Sequence, residues 1–118
     1  MKQYGIGSGG AFAWFFQRVS GLFLVIFLLG HFWLLHYAIS GEFADFETVR
    51  ARLALPLFKV LDLVFLYLAV YHGLNGVLMV IHDYVHKGFL RIVLVALLWT
   101  LGLTLLTCGT LTIATFKA

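Results

Sequence analysis

From Ile92 to Phe116 the chain runs for twenty-five residues with no ionisable side chain except Cys108. About twenty apolar residues cross the hydrocarbon core of a bilayer as an α-helix, so this stretch reads as a membrane span. Two earlier stretches read the same way. One extends from about Phe12 to Ile39, with Arg18 near its start and His31 and His36 near its end. The other extends from about Leu57 to Ile81, with Lys59 and Asp62 in its first turns. Inside hydrocarbon the backbone must satisfy its own hydrogen bonds, which makes each stretch a helix. Composition agrees: 63% of residues are hydrophobic and 11% charged, where a soluble domain carries roughly 25% charged. A chain of 118 residues cannot hide that much apolar surface in a core of its own. The expected fold class is all-α, an integral membrane protein of three transmembrane helices running up-down-up. The chain is expected to form one domain over residues 1–118, with helices at about 12–39, 57–81 and 89–116.

The formal charge of +3 comes from basic residues scattered at the ends of these stretches, so no nucleic-acid partner is expected. A single cysteine, Cys108, excludes an internal disulfide and any cysteine-built metal cluster; it reads as a small apolar residue in a lipid-embedded helix. The apolar run after Lys2 is too long for a signal-peptide core, so the first helix is expected to be retained. Glycines at 5, 7, 9 and 10 read as a flexible arm, not a dinucleotide fingerprint, because no strand precedes them. Residues 40–56 read as a polar connection, and His82–Gly88 as a short polar hairpin. Counting Lys and Arg does not orient the chain. Lys2, Arg18, Lys87 and Arg91 fall on one side, against Arg50, Arg52, Lys59 and Lys117 on the other.

Polar groups inside a membrane are costly and mark function by default. Helical residues eleven apart share a face, which pairs Ser20 with His31 and His72 with Asp83. His72 lies roughly 16 Å along its helix from Asp83, near mid-membrane, and His31 roughly 20 Å from Arg18, towards the opposite side. By this reading Arg18, Ser20, Asp83 and Tyr84 gather on the N-terminal side. A buried neutral imidazole is a common metal ligand, and helical bundles hold haem iron through such side chains. Gly73 and Gly76 beside His72, and to a lesser degree Gly30 beside His31, offer room for a flat macrocycle. From spacing alone, His72 reads equally as a haem ligand or as a histidine hydrogen-bonded to a neighbouring helix, and His31 reads less as a ligand than His72 does. His36 points about 140° away from His31 and reads as interfacial; His82 and His86 read as solvated or close to a cofactor carboxylate.

The string His72-Gly-Leu-Asn-Gly76, followed by Asp83-Tyr84, resembles the second helix of the small membrane-anchor subunit of succinate dehydrogenase. Trp14-Phe-Phe-Gln17-Arg18-Val-Ser20-Gly21, with Gly30-His31 further on, resembles the first helix of succinate dehydrogenase and fumarate reductase cytochrome b subunits. The three-span plan extends this resemblance over the whole chain. It implies that His72 is an axial ligand of a b-type haem, and that His31 ligates a second, distal haem where two are present. Tyr84 then hydrogen-bonds a quinone carbonyl (ubiquinone or menaquinone), with Asp83 beside it, Arg18 near the quinone and haem propionates, and Ser20 in support. One departure is Trp14, which stands where one branch of the family has a quinone-binding serine; Ser20 or a companion subunit would then supply that group. The implied partners are a second membrane-anchor subunit completing the bundle, an iron–sulfur subunit and a flavoprotein subunit. The implied location is a bacterial or archaeal cytoplasmic membrane, with the N-terminus cytoplasmic. The chain alone is not expected to be an enzyme. Two other readings fit the same polar residues: the cytochrome b anchor of another quinone-linked dehydrogenase, and a haem-free transporter or channel subunit.

Overall fold

A computed structural model of the chain describes residues 10–38 and 45–116. Lys2, Gly5, Gly7, Gly9, Ile39, Ser40, Gly41, Glu42 and Lys117 lie outside the described residues. Three long helices carry the fold: α1 (Gly10–Trp33), α3 (Pro56–Tyr84) and α4 (Gly88–Thr115). A short helix, α2 (Phe46–Leu53), precedes α3, and α1 continues into one π-helical turn, Leu34–Ala38. No strand occurs among the described residues. Each long helix is long and apolar enough to cross a membrane, so the all-α, three-span architecture is the one expected.

Local chemistry sets several boundaries. Pro56 opens α3, where its missing N–H needs no partner and its fixed φ suits a first helical residue. α2 lies within the segment read above as a polar connection. Asp45 caps it, its Oδ1 accepting from the Thr48 backbone amide at 2.8 Å and from the Thr48 hydroxyl. These donors, the hydroxyl first and then the amide, hold the Asp45 carboxyl below its ordinary value. α3 runs on through Tyr84, so His82, Asp83 and Tyr84 form its last turn and only residues 85–87 remain as the hairpin.

α3 packs against both α1 and α4, in an elongated body of 57 × 24 × 22 Å. Very little is buried. Among the described residues the buried apolar side chains are Leu53 and Ile81 alone. Phe12, Leu22, Ile26, Leu29 and Leu57 are more than half exposed, an apolar surface suited to lipid or to other apolar helices.

The α3–α4 seam is apolar and close. Leu74 fills the notch at Gly102, and Leu66 the notch at Gly109, where a Cβ would lie 2.7 Å from Leu66 Cδ2. Small residues let helices approach in lipid, where van der Waals packing must supply what the hydrophobic effect cannot. Lys59 Nζ donates to Phe116 O at 2.8 Å, tying the end of α4 to the start of α3. Thr100, Thr104, Thr112 and Thr115 each donate their hydroxyl to the carbonyl four residues back, so these groups are satisfied within α4.

Candidate cofactor site at the α1–α3 seam

α1 and α3 run antiparallel, and their polar residues meet in one register. Gln17 meets Asn75, Ser20 meets His72, and His31 faces Asp62. Ser20 is 2% exposed, the buried polar side chain among the described residues. The imidazole of His72 therefore sits against the least exposed polar side chain among the described residues.

Two glycines make that closeness workable. A Cβ at Gly21 would lie 3.0 Å from His72 Cε1, and one at Gly76 would lie 3.1 Å from Gln17 Nε2. Each helix thus provides a notch for a polar side chain of the other. Gly76 serves Gln17 here, while Gly73 and Gly30 have open space where a Cβ would go.

The hydrogen bonds fix the state of the His72 ring. Nδ1 lies 3.1 Å from Gln17 O and 3.1 Å from Ser20 Oγ. Ser20 Oγ also donates to Gln17 O at 3.2 Å. A carbonyl oxygen can only accept, so the proton belongs on Nδ1 and the lone pair on Nε2. Gln17 Nε2 donates to His72 O at 3.1 Å and lies 3.4 Å from His72 Nε2. Asn75 Nδ2 donates to Gln17 Oε1 at 2.8 Å. His72 also lines a cleft of about 430 Å³ together with Trp14, Gln17, Arg18, Gly21 and Met79. The Arg18 guanidinium stacks over the Trp14 ring, 4.3 Å from its centroid, a cation–π contact that keeps the charge at the cleft.

The four residues expected to converge on the N-terminal side are not all together. Ser20 is level with His72, roughly 16 Å along α3 from Asp83. Arg18 lines the His72 cleft, whereas Asp83 and Tyr84 are exposed at the end of α3, Tyr84 by 78%. The reason is register. Gln17, Ser20 and His31 pair with α3 in a fixed step, and the same step sets Asp83 level with about Gly10, the start of α1.

A second polar cluster lies one further stretch along the seam. His31 Nδ1 is 3.9 Å from Asp62 Oδ1, and Arg52 Nη2 donates to Asp62 Oδ2 at 2.9 Å. Arg52 Nε is buried without a hydrogen-bond partner. These three residues line a cavity of about 320 Å³ whose remaining walls include Phe27, Phe58 and Phe65. His36 is exposed, its Nδ1 bonded to Phe32 O at 3.0 Å. His82 and His86 are exposed near the α3–α4 connection.

The sequence alone assigned no role to Gln17, Asn75 or the Arg52–Asp62 pair. A signal for the first two existed: both are amides inside lipid-embedded helices, one turn from Ser20 and His72 respectively, where an amide needs a partner on another helix.

Fold and site together define a three-span helical membrane protein with a histidine-centred polar seam between its first two spans. The chain belongs to the succinate dehydrogenase/fumarate reductase transmembrane subunit family, whose sequence pattern matches residues 3–111. It is similar to the succinate dehydrogenase hydrophobic membrane anchor subunit of Thermoplasma acidophilum, 36% identical over 69 residues, which cover 58% of this chain and 56% of that one. The anchor subunit of Rickettsia bellii is 28% identical over 90 residues, 76% of this chain and 70% of the relative. That of Archaeoglobus fulgidus is 30% identical over 71 residues, 60% of each. The match with the Thermoplasma relative thus spans little more than half of that protein's length.

Proposed function

We propose that the chain is a membrane-anchor cytochrome b subunit of a quinone-linked succinate dehydrogenase or fumarate reductase, with His72 as one axial ligand of a b-type haem. The observation that carries this reading is the hydrogen-bond geometry around the His72 ring, which favours a proton on Nδ1. Its Nδ1–H is committed to Gln17 O, and its Nε2 lone pair is opposed only by a 3.4 Å contact with the Gln17 amide. A histidine that ligates a metal through one nitrogen characteristically donates the other N–H to a carbonyl or carboxylate, which fixes the ring's orientation. The donor set also suits haem, whose iron would need only one imidazole from this chain at this seam.

When bound, the haem supplies one-electron chemistry between iron–sulfur centre and quinone. This chain's residues hold, orient and shield it. Gly21 leaves room for the His72 ring, Ser20 seals the seam behind it, and Arg18 places a positive charge at the cleft for a propionate or a reduced quinone oxygen. A companion membrane-anchor subunit would supply the further haem ligand that this chain does not. His31 is the candidate ligand of a second, distal haem, with Asp62 as the carboxylate beside it. Tyr84 donates a hydrogen bond to a ubiquinone or menaquinone carbonyl, with Asp83 beside it, at the cytoplasmic side of a bacterial or archaeal membrane. The exposure of both residues leaves the rest of that pocket to partner subunits. Succinate oxidation belongs to the flavoprotein and iron–sulfur subunits, so this chain is not catalytic alone.

The test is the haem content of the purified complex, by pyridine haemochrome per flavin and by the dithionite-reduced minus oxidised spectrum. The wild-type complex shows a b-type band, and His72→Ala removes the haem held at this seam. Normal haem content in His72→Ala overturns the reading.

A further inference from the structure

We infer that Gln17 is a positioning residue that sets the electron-donating strength of His72, with Asn75 holding Gln17 in place; this rests on the reading of His72 as a haem ligand. Gln17 grips His72 at two points. Its backbone carbonyl accepts the ring Nδ1–H at 3.1 Å, and its side-chain amide donates to the His72 backbone carbonyl at 3.1 Å. The second bond pins the α3 backbone at His72 to α1, which keeps the first at hydrogen-bonding length. Asn75 Nδ2, donating to Gln17 Oε1 at 2.8 Å, fixes which end of the amide faces His72. Gly76 admits the amide, since a Cβ there would stand 3.1 Å from Gln17 Nε2. The remaining amide contact, to His72 Nε2, is the longest at 3.4 Å, so it is the one that ligation through Nε2 would displace while the shorter bonds are kept.

The chemical consequence concerns basicity. An Nδ1–H that donates to a carbonyl makes the imidazole a stronger donor, which favours ferric over ferrous iron. Removing the side-chain amide loosens that bond and weakens the ferric preference. A Ser20 hydroxyl 3.1 Å from the same Nδ1 remains as a poorer partner, so the ligand is retained while its strength falls.

The experiment is a redox titration of the haem band in the intact complex for wild type, Gln17→Met and Asn75→Ala, with His72→Ala as the reference for ligation. Gln17→Met is expected to keep its haem while the midpoint rises. A tenfold loss of ferric preference corresponds to about 59 mV for a one-electron couple. Asn75→Ala, which leaves Gln17 in place but frees its amide, is expected to move the midpoint the same way by less. If His72→Ala loses its haem but both variants titrate like wild type, the positioning role is overturned and the ligand reading stands. If His72→Ala keeps its haem, the ligand reading itself fails. Failure of both variants to yield an assembled complex also overturns the inference, because Gln17 then merely glues the helices.

Discussion

Towards α4, helix α3 offers Leu66 and Leu74 to glycine notches; towards α1, it offers His72 and Asn75 to Gln17 and Ser20. Both seams use the same device, a glycine that lets a side chain of the facing helix come close. The difference lies in what fills the notch. Leucine in a notch yields packing and nothing else. Histidine in a notch yields packing plus a ring whose rotation and proton position are fixed by hydrogen bonds, in a medium where water does not compete for them. A three-span chain can therefore divide its labour: α4 braces α3 from one side, and α1 holds the His72 ring of α3 from the other.

Four substitutions break or sharpen that contrast. The largest effect is expected from Gly21→Val, whose side chain begins 3.0 Å from His72 Cε1. On the proposed ligation by His72, it should turn the imidazole and lower haem occupancy by about tenfold or more, read by pyridine haemochrome, while the complex still assembles. Next is Arg52→Leu, which strands the Asp62 carboxylate now 2.9 Å from Arg52. Breaking a mostly buried pair costs about 3 kcal/mol or more, so thermal resistance of the complex should fall. Adding Asp62→Leu should recover much of the loss, and a double variant no better than the single would contradict the account. Gly109→Val overfills the notch that holds Leu66. Its cost is expected at about 1–3 kcal/mol, seen as reduced assembly with an unchanged haem midpoint. A shifted midpoint here would show that the two seams are not independent.

The smallest effect belongs outside the spans. The folded-state carboxyl of Asp45 lies below its ordinary value because of Thr48. Its cap is therefore fully formed above the unfolded carboxylate's pKa and is lost as pH falls through the folded value. Hydrogen exchange of the α2 amides should accelerate below about pH 4 beyond the intrinsic pH effect. Asp45→Ala should abolish that additional change.

The three spans were legible because hydropathy over twenty residues is a property of each segment alone. The polar lane carrying His72 was legible for the same reason, since helical periodicity needs no neighbour. The pairing across helices was not. Ser20 was expected beside Asp83 and Tyr84, yet it meets His72, because the offset between α1 and α3 is set by interlocks such as Gly21 with His72 and Gly76 with Gln17. Nothing in either segment read alone encodes that offset. The neighbour of Gly76 was illegible on the same account: the glycine reads as relief for a macrocycle, and the structure sets the Gln17 amide against it. α2 was missed for a different reason. Its eight residues are too few and too polar to stand out, and its local signals were the Asp45–Thr48 cap, Glu47 in the first turn and Arg50 and Arg52 in the last.

The one-for-one register of α1 against α3 constrains the length of these helices as firmly as their residues. Deleting one residue between Gly21 and Gly30 leaves every group at the His72 level untouched. It turns His31 by about 100° and shifts it by about 1.5 Å, out of line with Asp62. Descendants of this chain can exchange many of its lipid-facing side chains, but even a whole-turn insertion or deletion in this stretch, which restores the rotation, moves His31 about 5.4 Å along the axis and off Asp62.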